Sequence, residues 1–192
     1  NILYIFLEWY NWYILRGGSY DFSNKDIKGY VQKNELIIAG FDEDNLNGMS
    51  YDLTIDVSLD ENGEQHIEYE LNSGETIFIK SQEKLSIPDN ILGRIAEKHS
   101  WMRQGLVVSG PHYQPGHKTY AFLRVTNISK NIITLSRGNK IAQIIFEQLT
   151  GKPDVPYSIQ MNASYQDEVE YKGLGNDKQE YDKQTKRKLD LN

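Results

Sequence analysis

Between Tyr51 and Leu149 the chain is written as short alternating or β-branched runs: "YDLTIDV", "QHIEYEL", "ETIFIK", "TYAFLRV", "NIITL" and "IAQIIFEQL". Turn material separates them, in particular "DENGE", "NSGE", "SGPHYQPGHK" and "SRGN". Side chains alternate across a strand, so such runs bury one face each and need partners beside and behind them. Many short strands at close spacing predict a mainly antiparallel β-barrel or jelly roll.

One short helix is expected ahead of these strands. In "SNKDIKGYVQKNELII", Ser23 can cap a helix whose third residue is Asp26, and Ile27, Tyr30 and Val31 recur at helical spacing. The paired glycines of "RGG", Arg16 to Gly18, separate this region from the apolar, aromatic start "NILYIFLEWYNWYILR". That start is shorter than the roughly 20 residues that cross a bilayer. It also contains Glu8 and Asn11, and it lacks a basic start and a small-residue cleavage site. A packing or interfacial helix is favoured over an anchor.

With 192 residues the chain is long enough for one well-cored domain with trimmings. The divisions predicted are an aromatic extension over 1–19, a β domain over 20–160 and a polar C-terminal lid or tail over 161–192. A formal net charge of −6 argues against a nucleic-acid polymer as partner, since phosphate backbones are gripped by clustered Lys and Arg. The absence of cysteine excludes a disulfide scaffold, a thiolate zinc site and a cysteine nucleophile together. It fits a reducing compartment, and a cytoplasmic protein is expected.

The histidines are His66, His99, His112 and His117, and neither "HExxH" nor a carboxylate-bracketed pair surrounds them, so no metal site is expected. "GRIAEKHSWMRQGL" is richer. It gathers Lys98, His99, Ser100 and Arg103, cations and donors of the kind that hold phosphate oxygens, on what reads as a helix or turn face.

Several motifs occur in one order with compact spacing: "FDEDNLNGMSYDLTI", "NSGETIFIKSQEKLSIPDNILGRI", "KHSWMRQGL", Pro115-Gly116, "LRVTN" and "RGNKIAQIIFEQLTGKPDVPY". The set, from about Phe22 to Tyr157, resembles the dCTP deaminase branch of the dUTPase superfamily. The resemblance implies a dUTPase-like distorted β-barrel or jelly roll with a short N-terminal helix. It further implies a homotrimer with pyrimidine deoxynucleotide sites between subunits, and dCTP-to-dUTP deamination as the activity. No tightly bound cofactor is implied; Mg²⁺ would come with a nucleoside triphosphate.

Carried over by position, the family's "GRSSLARLGL" segment corresponds to "EKHSWMRQGL". Its first arginine falls on Lys98, its serines on His99 and Ser100, and its second arginine on Arg103. Gln143 matches a polar position that dUTPases keep near phosphate. The catalytic positions differ. The glutamate that activates water in deaminases falls on Arg124, and the aspartate of the family's "DPG" turn falls on Gln114. Arginine is always protonated and offers no acceptor, and glutamine can orient water without being a base.

The nucleotide-binding set expected from this carry-over is therefore Lys98, His99, Ser100, Arg103, Gln114, Arg124 and Gln143, with no residue assigned to catalysis. In "SYQDEVEYKGLG", which resembles the deaminase lid, the phosphate-binding lysine and glutamine fall on Glu170 and Leu174. Two readings remain. One is a divergent enzyme using His or Gln where relatives use carboxylates. The other is a trimeric nucleotide-sensing or protein-interaction module that has lost turnover. Strand parity puts Tyr120, Phe122, Arg124 and Thr126 on one face, opposite a core-facing Ala121, Leu123 and Val125.

Overall fold

The computed structural model describes residues 20–173. The expected aromatic extension, Leu174 and the rest of the tail lie outside the described residues. After a two-residue strand β1 (Tyr20–Asp21) comes helix α1 (Asn24–Val31), followed by β2 (Leu36–Ala39) and β3 (Tyr51–Leu59). Next are β4 (Gln65–His66), β5 (Glu68–Leu71), β6 (Thr76–Ser86) and β7 (Ile91–Glu97). A one-turn helix α2 (His99–Met102) leads to β8 (Leu106–Ser109), β9 (His112–Tyr113), β10 (Lys118–Asn127), β11 (Ile133–Ser136) and β12 (Lys140–Gln148).

The fold is mainly β. A curled antiparallel sheet runs in the order β8-β10-β6-β3-β12-β7-β9, and β5 and β11 form a separate pair. α1 starts as its sequence dictates: the Ser23 side chain accepts from Asp26 N, and the Asp26 side chain accepts from Ser23 N. Ile27 of α1 is fully buried against the same core as Leu53, Ile79, Leu123 and Phe146. On β10 the alternation holds, with Ala121, Leu123 and Val125 buried and Tyr120, Phe122, Arg124 and Thr126 on the other face.

Five strands were not evident from periodicity, among them the two-residue β1 and β9, the latter inside the "SGPHYQPGHK" stretch read as turn material. β7, running through "GRIAE", and β8 flank a turn whose cations dominate the reading, and β2 is only four residues long. β6 also continues through the polar "QEKLS", because it is hydrogen-bonded on both sides and its chemistry is set by a local irregularity. Ser81, Gln82 and Glu83 of β6 stand opposite the single residue Ala121 of β10, since the register passes from Tyr120↔Lys84 to Phe122↔Lys80.

Side chains take up the ladder bonds lost at this bulge. Ser81 Oγ accepts from Ala121 N at 2.9 Å and donates to Glu83 O at 2.8 Å. Gln82 Nε2 donates to Ile55 O at 3.1 Å. The Glu83 carboxyl, fully buried, accepts from Thr54 N at 3.0 Å and from Thr54 Oγ1 at 2.7 Å. Gly40 crosses directly over the bulge with φ +75°, and a Cβ there would lie 2.5 Å from Gln82 O. Gly40→Ala should therefore destabilise the protein by about 2 kcal/mol, combining left-handed strain with a backbone clash. Urea unfolding of the two proteins checks this.

Asn127 explains part of the "LRVTN" motif without any ligand. Fully buried, it donates to Leu71 O at 2.9 Å and Asn131 O at 2.7 Å, and accepts from Ser129 N at 2.9 Å. It thus ties β10 to the end of β5 and to the turn before β11.

Candidate functional site

Within one chain the candidate residues fall into two groups. The first is built on Asp52, on β3 beside its β12 pairing partner Gln143. Asp52 is 3% exposed. Its Oδ2 accepts from Lys98 Nζ at 2.6 Å, while Oδ1 accepts from Asn47 Nδ2 at 3.0 Å and Gln143 Nε2 at 3.1 Å. Lys98 and Gln143 are thus committed to one buried carboxylate, as a buried charge requires. Asp52 lies within the "SYDL" motif, where periodicity alone reads it as a polar position on a strand.

α2 follows Lys98, its N-cap, and is held down by Trp101 Nε1 donating to Lys140 O at 2.8 Å. His99, Ser100 and Arg103 are exposed around this turn. They form a small cationic and hydroxyl-bearing edge, open to an anion, beside the neutralised Lys98.

The second group surrounds a chamber of about 400 Å³, within the usual range for small-molecule pockets. Gln114 lines it, at the turn before β10, together with the outward rings of Tyr120 and Phe122. His112 and His117 contribute to the wall, and among the described residues no Lys or Arg does. Arg124 lies further along the same strand face, exposed, with Nη2 3.5 Å from Ser109 Oγ. Among the described residues no carboxylate pairs with it, and it does not line the chamber.

The remaining wall comes from the segment after β12. The Tyr157 and His117 ring centroids lie 4.2 Å apart, and the Tyr171 ring packs tilted against Phe78 and Phe122 with centroids at 4.8 and 5.7 Å. Asp167 N donates to Lys118 O and Tyr120 N to Glu168 O, so residues 167–168 run as a short parallel pairing along the start of β10. Glu168 brings a carboxyl, 4% exposed, into the chamber wall. Burial is the leading cause raising its pKa, against the opposing Lys172 N–H and charge. Glu170, further along, pairs with Lys80 at 3.6 Å.

His117 is 6% exposed, and its Nε2 lies 3.0 Å from Tyr165 O. A carbonyl only accepts, so Nε2 carries the proton and Nδ1 is the bare acceptor of a neutral ring. Burial lowers the His117 pKa, with the Tyr165 carbonyl opposing, which keeps that tautomer neutral. Nδ1 has no partner among the described residues, and neither has the buried Tyr113 Oη. Sequence reading missed Glu168 and Tyr171 as wall residues, because only the return of the chain onto β10 brings them there.

Among the described residues, donor atoms of Asp60, Glu64 and His66 lie within 4.8 Å of one another, a grouping able to hold a cation. It sits at the β3–β4 turn and involves none of the candidate residues above. No helix among the described residues is long and apolar enough to cross a membrane.

A sequence model of the dCTP deaminase-like family matches residues 59–149. The chain is 28% identical to a dCTP deaminase of Wigglesworthia glossinidia brevipalpis over 136 residues, which is 70% of this chain and 67% of that protein. It is 33% identical to a dCTP deaminase of Marinomonas sp. over 101 residues, about half of each (52%). A dUMP-forming dCTP deaminase of Corynebacterium diphtheriae is 28% identical over 170 residues, covering 76% of this chain and 91% of that one. Among solved structures, the 2′-deoxycytidine 5′-triphosphate deaminase of Agrobacterium tumefaciens superposes with a TM-score of 0.59 at 15% identity. That superposition covers 68% of this chain and 49% of the other, and it speaks for the fold. The ordered motifs and these relatives together, on a fold shared with a solved deaminase, support a divergent member of the dUTPase/dCTP deaminase superfamily.

Proposed function

We propose that the protein binds a pyrimidine deoxynucleotide and has lost, or nearly lost, the deamination its relatives are named for. The observation that carries this reading is Arg124, a fixed cation in mid-strand where the motif resemblance implies a water-activating glutamate, with Gln114 in the accompanying aspartate position. Neither side chain can accept and return a proton at neutral pH. The aromatic chamber and Gln114 would receive the base, by stacking and one amide. Phosphate oxygens suit the exposed edge of His99, Ser100 and Arg103, with any Mg²⁺ arriving on the triphosphate.

The two groups are separate within one chain, which favours a homotrimer in which the edge of one copy completes the chamber of another. A cytoplasmic setting suits a nucleotide ligand and a chain without cysteine. Retention of activity through His117 or His112 is the enzyme alternative, supported by the neutral imidazole in the chamber wall.

Calorimetric titration with a panel of pyrimidine and purine nucleotides tests the reading. Binding of dCTP or dUTP, weakened at least tenfold by Arg103→Ala, is the expected outcome. No binding of any nucleotide would replace it with a protein-interaction role for the same fold.

A further inference from the structure

The turn between β3 and β4 gathers three metal-ligating side chains. The stretch "DENGEQH" carries no metal signature in sequence, and only the hairpin brings its Asp60, Glu64 and His66 together. Their donor atoms lie within 4.8 Å of one another, whereas ligands of a tetrahedral ion held at about 2.0–2.1 Å sit roughly 3.3 Å apart. Glu64 is exposed, and a change of rotamer closes that difference. The other two are already held. Asp60 Oδ1 accepts from Asn62 N and Glu64 N, both at 2.9 Å, which leaves Oδ2 for a further partner. His66 Nε2 lies 3.2 Å from that Oδ2, and its ring packs edge-on against Tyr69 with centroids 5.2 Å apart.

A second observation comes from outside these three side chains. Ser58 stands directly opposite His66 in the β3–β4 register, so the two share one face of the hairpin. Ser58 is 1% exposed, and its Oγ has no hydrogen-bond partner among the described residues. When Nε2 of a histidine binds a metal, Nδ1 carries the ring proton and gives it to a nearby oxygen. Nδ1 is the ring nitrogen nearer the backbone, and on that face the unclaimed oxygen is Ser58 Oγ.

We propose that Asp60, Glu64 and His66 bind a divalent transition-metal ion, Zn²⁺ foremost, with Ser58 Oγ receiving the His66 Nδ1–H. One imidazole nitrogen and two carboxylates select such an ion over Ca²⁺ and Mg²⁺, which favour oxygen alone. Three protein ligands leave one position open to water. Gln65, between two of the ligands, donates to Glu170 Oε2 at 3.2 Å, so the ion would stiffen the hairpin on which the C-terminal segment rests. Nothing here depends on nucleotide binding.

The experiment is equilibrium dialysis of the tag-free full chain against Zn²⁺, with Co²⁺ absorption in the visible as the spectroscopic reading. The parent should retain one Zn²⁺ per chain with micromolar or tighter affinity, and Zn²⁺ should displace Co²⁺ and erase its absorption. His66→Gln and Glu64→Gln should each weaken binding by at least about tenfold. His99→Gln and His112→Gln, which alter exposed histidines elsewhere, should bind Zn²⁺ as the parent does. Failure of the parent to retain Zn²⁺, or binding undiminished in His66→Gln or Glu64→Gln, overturns the proposal. Glu64 offers its side chain to no hydrogen bond among those found in the fold, so Glu64→Gln decides the matter even if His66→Gln does not fold.

Discussion

Incubated with dCTP, the purified protein should form dUTP at least about 100-fold more slowly than an active deaminase, because positioned acid–base groups contribute roughly 10² to 10⁴ in rate. Hydrolytic loss of the cytosine amino group requires a water to be deprotonated as it attacks the ring carbon. The proton must then be delivered to the departing amine. A guanidinium can do neither, being protonated throughout the working pH range. Slow turnover would then be a matter of chemistry rather than of folding, since Arg124 is exposed on a strand whose other face, Ala121, Leu123 and Val125, is fully buried.

The double variant Gln114→Asp, Arg124→Glu should gain at least about 100-fold in dUTP formation over the parent, on the same acid–base scale. Coupled detection of released ammonia measures both proteins. Ordinary turnover by the parent would sink this account and leave a histidine as the working base. His117 is then the first to replace, because its neutral ring already lies in the chamber wall.

The second large effect concerns stability. Burial, opposed by the two Thr54 hydrogen bonds, raises the Glu83 carboxyl from its ordinary 4.5 to about 7. The folded state therefore holds this proton more tightly than the unfolded chain does. Its contribution is fully favourable below pH 4.5 and is lost as pH rises to about 7, above which ionised Glu83 is carried at a cost. At about 1.4 kcal/mol per pH unit, the loss across that window is on the order of 3 kcal/mol. Urea unfolding of the parent and Glu83→Gln at pH 4 and pH 8 isolates it. The parent should weaken relative to the variant by about 3 kcal/mol between the two conditions. A difference between the proteins that does not change with pH would mean that Glu83 titrates like an exposed carboxylate. The comparison is made across pH because the glutamine amide has its own unsatisfied donor at this buried position, which shifts both conditions alike.

Glu83 also marks where sequence reading reaches its limit. Strand patterning found β3, β10 and β12 to within two residues at each end, β10 by its alternating burial and β3 by a β-branched run buried on both faces, and the Ser23–Asp26 capping box located α1. The polar "SQEKLS" gave no such signal. Its serine, glutamine and glutamate look solvated in sequence, yet they are the bulge's internal hydrogen-bonding groups, and only the β6–β10 register reveals that. The candidate site divides in the same way. Gln114, Arg124 and the Lys98–Arg103 turn were legible through ordered motifs, each local to a few residues. The pairing of Lys98 and Gln143 with Asp52 joins β3, the start of α2 and β12, and Glu168 reaches its place through a segment about 50 residues after Thr119, its bridge partner. Contacts of that range leave no periodic trace.

The return of residues 167–168 onto β10 also bears on how copies of the protein can meet. β10 is paired along one side by β6, and on the other side β8 covers only Arg124 to Asn127. The start of that second side would be an open row of amides and carbonyls, the kind of edge on which a foreign strand can add. Here Lys118 O and Tyr120 N are already bonded to the chain's own C-terminal segment. This stretch of edge is closed from within, so a second copy or a foreign strand finds no free backbone bonds at Lys118 to Tyr120.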